Sequence, residues 1–144
     1  MEQKNNKEYK QKNEEKKEYL KGYERAVRQL NRIQIEIQEI RLSKICPSIK
    51  NDGMPHAKAV GDLSEYAVLL EREEKKYKKA LYDKVEKIKE ILNEIEKMEN
   101  EDEKDVLLYR YINLMKWDEI GEMMKYSRQQ LHRIHSKALS NFKI

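Results

Sequence analysis

The sequence predicts an all-α protein, a long antiparallel helical hairpin or coiled coil followed by a three-helix helix-turn-helix domain. Three observations carry this expectation. Gly and Pro together occupy only six of 144 positions, and charged residues make up 40%, a mixture that favours long helices over sheets. Apolar residues recur at spacings of three and four through two long stretches, so a mean hydropathy of −1.05 reflects helices with a narrow buried seam rather than disorder. Charge is also segregated. The net charge is only +4, yet Lys125 to Ile144 holds five Lys/Arg and no Asp/Glu, whereas Gly61 to Asn100 holds nine against eleven acids. A focused basic segment suits a polyanion partner.

The elements follow in order. Residues 1–18 are almost wholly polar and read as a tail or as an extension of the next helix. From Tyr19 the apolar positions Tyr19, Tyr23, Ala26, Leu30, Ile33, Ile37 and Ile40 alternate by four and three, a heptad seam. Residues 43–62 hold both prolines, Pro47 and Pro55, and two glycines, which predicts a loop. A second seam runs Leu63, Ala67, Leu70, Tyr77, Leu81, Ile88, Leu92, Ile95, with Glu74 at one expected seam position. Two seamed helices around a loop suggest a hairpin, although the stripes would equally pair between chains. The acidic stretch 98–105 marks a boundary. The expected domains are thus the polar segment 1–18, a hairpin over 19–100, and a separable domain over 101–144.

Within the last domain the spacing predicts helices over roughly 103–114, 117–124 and 128–142. Trp117, Ile120 and Met124 make one apolar stripe, with Gly121 allowing close approach. Ser127 is a favourable N-cap. Leu131, Ile134, Ala138 and Phe142 share one face of the last helix. Its other face presents Arg128, Gln129, His132, Arg133 and Ser136, groups able to bond base edges. Arg pairs bidentately with guanine and Gln with adenine. Lys125, Lys137 and Lys143 suit phosphate contacts, which add affinity without sequence information. A plain solvated helix on a structural bundle is the bland competitor, but acids are excluded only from this last helix.

The stretch WDEIGEMMKYSRQQLHRIHSKALSNF resembles the C-terminal promoter-reading domain (region 4) of bacterial sigma factors. It carries Glu119-Ile120-Gly121, then Ser127-Arg128, then Lys137-Ala138-Leu139. The whole chain, with Met54-Pro55-His56 in its loop, is similar to small prophage transcriptional regulators of the ArpU-like and RinA-like kind. The resemblance implies a DNA-binding regulator with base or phosphate contacts at Arg128, Gln129, His132 and Arg133. Two positions depart from the pattern: Lys125 stands where the turn usually has Gly, and Lys116 where the preceding helix usually has a capping hydroxyl. No segment resembles the sigma core-binding region.

The expected DNA-binding set is therefore Lys125, Ser127, Arg128, Gln129, His132, Arg133, Ser136 and Lys137. The expected partners are double-stranded DNA and RNA polymerase, with a homo-oligomer, a dimer first, set by the coiled region. The alternatives are a structural or adaptor protein and a DNA-packaging recognition subunit. Nothing suggests an enzyme or a cofactor: there is no Gly-rich phosphate loop and no nucleophile–base pairing. His132 and His135 lie three apart, but no second Cys/His pair supports a metal site, and basic-helix histidines more often face DNA or solvent. The tyrosines fall at packing positions, and Trp117 reads as a core anchor. Cys46 is the one cysteine, expected to be buried rather than reactive, and precludes an intrachain disulfide, so a cytoplasmic setting is expected. The polar N-terminus does not read as a signal peptide, and no run approaches the ~20 apolar residues of a membrane span.

Overall fold

The computed structural model describes residues 2–45 and 60–144. They form α1 (Glu2–Leu20), α2 (Gly22–Ile45), α3 (Val60–Glu96), α4 (Glu101–Leu107), a π-helical turn (Leu108–Ile112), α5 (Trp117–Met124) and α6 (Arg128–Asn141). The fold is all-α, with no strand among the described residues, as the periodicity predicts. Cys46 and Met54-Pro55-His56 lie outside the described residues.

Of the two expectations for residues 1–18, the helical extension holds. Lys21 alone separates α1 from α2, and the amide ladder runs through it, Lys21 N to Lys17 O at 2.9 Å and Arg25 N to Lys21 O at 3.0 Å. So polar a helix draws on acid-before-base pairs one turn apart, such as Glu8–Lys12 and Glu14–Lys17, each stabilising by about 0.2–0.5 kcal/mol.

Packing divides the chain into two compact units, Val27–Asp83 and, together, Met1–Ala26 with Lys84–Ile144. In the first, α2 and α3 pair antiparallel within one chain: Gln34 Nε2 donates to Tyr77 OH at 3.2 Å and Arg41 meets Glu74 at 3.5 Å. The expected seam on α2 is the buried one, with Leu30, Ile33 and Ile37 packed on Ala80 and flanked by Leu70 and Tyr77. On α3 the register differs. Ala80 and Glu73 turn inward, while Leu63, Ala67 and Leu81 stay exposed. Two apolar stripes lie side by side on this helix, and the small Ala80 side chain admits closer approach than Leu81. Glu73 is buried, with Oε1 accepting from Lys76 at 2.7 Å and Oε2 unbonded.

The second unit departs from the expected boundary near residue 100. Leu20 of α1 and Ile91, Ile95 and Met98 share one core with Leu107, Tyr111, Ala138, Leu139 and Phe142. Four of those nine residues come from outside 101–144, so the C-terminal helices complete a larger body. A smaller core, Val106, Ile120 and Leu131 ringed by Trp117, Met124, Tyr126 and Ile134, is local to the C-terminal helices. The expected helix over 103–114 is also interrupted. Asn100 caps α4, its side chain accepting from Glu103 N at 3.0 Å. The helix then widens into the π turn, closed by Asn113 N to Leu108 O at 2.9 Å.

Candidate nucleic-acid interface

The last two helices are set by their ends. Lys116 N donates to Glu119 Oε2 at 2.7 Å, the return half of a capping box, while the Lys116 side chain offers no acceptor of the kind a hydroxyl at 116 would give the first-turn amides of α5. The helix closes on Lys125, whose φ of 58° and ψ of 39° are left-handed. That conformation costs a non-Gly residue roughly 1–2 kcal/mol. Lys125→Gly is therefore expected to raise stability by about 1 kcal/mol, allowing for the freer unfolded chain; equal urea midpoints for the two proteins would show that the turn is unstrained. Gly121 faces this turn: a Cβ there would stand 3.0 Å from Tyr126 O. Tyr126 OH in turn donates to Asp102 Oδ2 at 2.9 Å, tying the turn to α4.

Ser127 and Gln130 then start α6 reciprocally. Ser127 Oγ accepts from Gln130 N at 3.2 Å, and Gln130 Oε1 accepts from Ser127 N at 2.9 Å. Of the expected contact residues, Ser127 is thus engaged as the cap. All eight, Lys125, Ser127, Arg128, Gln129, His132, Arg133, Ser136 and Lys137, are exposed. Arg133 lies four residues from Gln129, and Ser136 and Lys137 lie three and four from Arg133, so these side chains share the outer face of α6. Arg128 stands in its first turn. Among the described residues the ion pairs lie upstream of residue 105, and none involves an α6 cation.

His132 stands at the edge of this face, its ring 4.9 Å from that of Trp117. Trp117 is more than a core anchor, because the Arg110 guanidinium lies 5.0 Å above its ring while Arg110 Nη1 donates to Met115 O at 2.9 Å. His135 departs from expectation: it faces inward, 6% exposed. Its Nε2 bonds Tyr111 OH at 2.9 Å, a bond available to either neutral tautomer because a hydroxyl can donate or accept. Its ring stacks on Tyr111 at 5.8 Å and meets Trp117 edge-on at 4.9 Å. Burial, then the nearby positive charges of Lys17, His132 and Arg110, push its pKa down to about 4, and burial lifts Tyr111 to about 12. The ring is therefore neutral at pH 7.

The far end of α6 is held by α1, a contact no sequence pattern signals. Lys16 Nζ donates to Leu139 O at 2.7 Å and Ser140 O at 3.1 Å. A cation here satisfies the unpaired carbonyls of a helix end and opposes its negative pole. Burial holds the Lys16 pKa below the ordinary range. Tyr9 OH bonds Ser140 Oγ, and Asn141 Nδ2 donates to the buried Glu103 Oε2 at 2.8 Å from α4. These bonds fix α6 at both ends while leaving its outer face free.

Residues 47–143, two-thirds of the chain, match the profile of a family described as Protein of unknown function (DUF1492). The chain belongs to the DUF1492 family. No curated protein and no solved structure matches it. The matched stretch takes in α3 to α6, and so every expected contact residue, but not α1. Among the described residues of this DUF1492 chain no group of three or more His, Cys, Asp or Glu could hold a metal ion, and no helix is long and apolar enough to cross a membrane.

Proposed function

We propose that this DUF1492 protein is a sequence-specific DNA-binding transcriptional regulator of phage or prophage type. In this reading α5 and α6 form a helix-turn-helix, and α6 enters the major groove of double-stranded DNA. The observation that carries the reading is the exposed, acid-free track of Arg128, Gln129, His132, Arg133, Ser136 and Lys137 on a helix capped and braced from behind. The likeness of this segment to sigma region 4 supports it. Arg128, Gln129 and Arg133 reach base edges, and Lys125 and Lys137 hold phosphates. RNA polymerase is the proposed second partner, a homodimer the proposed assembly and the cytoplasm the proposed setting. A dimer would bind two half-sites whose spacing mirrors its symmetry.

Selection of bound sequences from a random duplex library at two salt concentrations tests this. The expected result is an enriched motif whose affinity falls steeply as salt rises. No enrichment together with salt-insensitive binding would favour the adaptor reading, and a closed ring on DNA the packaging-subunit reading. Arg128→Ala or Arg133→Ala is expected to cost about 1–3 kcal/mol at the selected motif and to relax specificity at one position. Lys137→Ala is expected to weaken all sequences about equally, so a loss confined to one sequence would remove its phosphate role.

A further inference from the structure

A cleft of about 290 Å³ opens beside the α6 track. Lys17 comes to it from α1, Lys21 from the junction with α2, Arg110 from the π turn and His132 from α6, with Trp117 forming an aromatic wall. Glu24 is the one acid of this lining. Three permanent cations from two separate segments thus converge on the cleft, with Glu24 in its lining and Glu14 and Glu18 paired to Lys17 and Lys21 beside it. Positive charge outweighs negative in the wall itself, where Lys17, His132 and Arg110 disfavour protonation of His135 and Glu14 opposes them. Such a cavity repels metal cations and attracts a compact anion.

The donors are open to one. Lys17 and Lys21 pair with Glu14 at 2.5 Å and Glu18 at 2.9 Å. Both acids are well exposed, so these pairs are weak and readily exchanged. Arg110 uses Nη1 on Met115 O, which leaves further N–H donors on a guanidinium already placed over the Trp117 ring. Planar, multiply donating Arg beside Lys point charges is the donor set for phosphate. The volume stands at the lower end of the ~300–1,000 Å³ usual for ligand clefts, room for a phosphate together with a sizeable substituent.

We propose that this cleft binds a phosphate group, held by Lys17, Lys21 and Arg110. Two carriers share that chemistry: the DNA backbone flanking the α6 track, and a free phosphorylated small molecule. The first carrier rests on the DNA-reading function proposed above; the site itself does not. His132 belongs to both the cleft and the track, so either carrier would bias how α6 presents its outer face.

The test uses the full-length protein, with the imidazole signals of His132 and His135 followed by NMR. Sodium pyrophosphate is titrated at constant ionic strength, and then a short DNA duplex carrying the selected motif. Pyrophosphate is expected to shift the His135 signals saturably. The Lys17→Gln/Lys21→Gln variant, which removes two cleft charges without altering a core residue, should need about tenfold more, the equivalent of losing one charge-assisted hydrogen bond. If the duplex also moves His135 and excludes pyrophosphate, the carrier is the DNA backbone. If the duplex moves the amides of Gln129 and Arg133 while pyrophosphate still binds, the carrier is a free ligand. Pyrophosphate binding with no duplex binding would sink the DNA reading and leave the site standing. His135 signals unmoved by both probes, or shifts identical in the variant, overturn the proposal.

Discussion

Replacing Leu20 by Ala is expected to destabilise the protein by about 2–5 kcal/mol, the range for emptying a well-packed aliphatic position. Leu20 is fully buried, although it closes a helix whose other residues are almost all polar. It fills the core that also buries Leu139 and Ala138 of α6, Phe142 at its C-cap, and Ile91 and Ile95 of α3. A cavity there loosens the support of the outward-facing track from behind. Urea denaturation checks the magnitude, with Leu63→Ala as the control, since Leu63 is 57% exposed and should change stability by no more than about 0.5 kcal/mol. The fragment 101–144 should accordingly lack cooperative unfolding and native helicity by circular dichroism, because it retains only the Val106, Ile120 and Leu131 core intact. A fragment that melts cooperatively, or a Leu20→Ala protein as stable as the parent, would show that α1 is dispensable.

Acid is expected to weaken the fold through His135. Its folded pKa, about 4, lies below the ordinary 6.5. A depressed folded pKa means that the stabilisation is fully present above pH 6.5 and is lost as pH falls through that window towards 4. The loss amounts to about 3 kcal/mol at the acid end. Glu14, Glu18 and Glu73 also have lowered pKa values, through their Lys and Arg partners, but a carboxylate's contribution is lost lower, below about 4.5. Between pH 6.5 and 5 the slope therefore belongs to His135. His135→Leu keeps the volume and removes the titration, while leaving Tyr111 OH without its imidazole partner at a cost of about 1–3 kcal/mol. The variant is expected to start less stable at pH 7 and to lose the slope between pH 6.5 and 5. Parallel pH profiles for the two proteins would show that the ring already titrates freely.

Much of the candidate site was legible in the sequence because it depends on local rules. The exclusion of acids after Lys125, the Ser127 cap and the spacing of Leu131, Ile134 and Ala138 together determine which side of α6 faces out, and all eight expected residues are exposed. His135 was misread because its angular position on α6 lies between the buried stripe and the open face. Only the neighbours that arrive there, Tyr111 from a π turn with no compositional signature and Trp117 from α5, decide that it is covered. Lys16, Lys17 and Lys21 were unreadable for the same reason. Nothing distinguishes a lysine that seals a helix end or lines a cleft from its solvated neighbours until another element is placed beside it.

By itself, then, the sequence determined the helical class, the heptad seam of α2, the ends of α5 and α6 and the outward face of α6, because periodicity and capping act within a few residues of one another. Tertiary structure alone decided which of two adjacent stripes on α3 is buried, that α2 and α3 pair within one chain, and that the polar N-terminal helix shares a core with the last helix. Those outcomes turn on which surfaces meet. The contact between Leu20 and the α6 core joins residues more than a hundred positions apart, a separation across which a hydrophobic pattern carries no information about its partner.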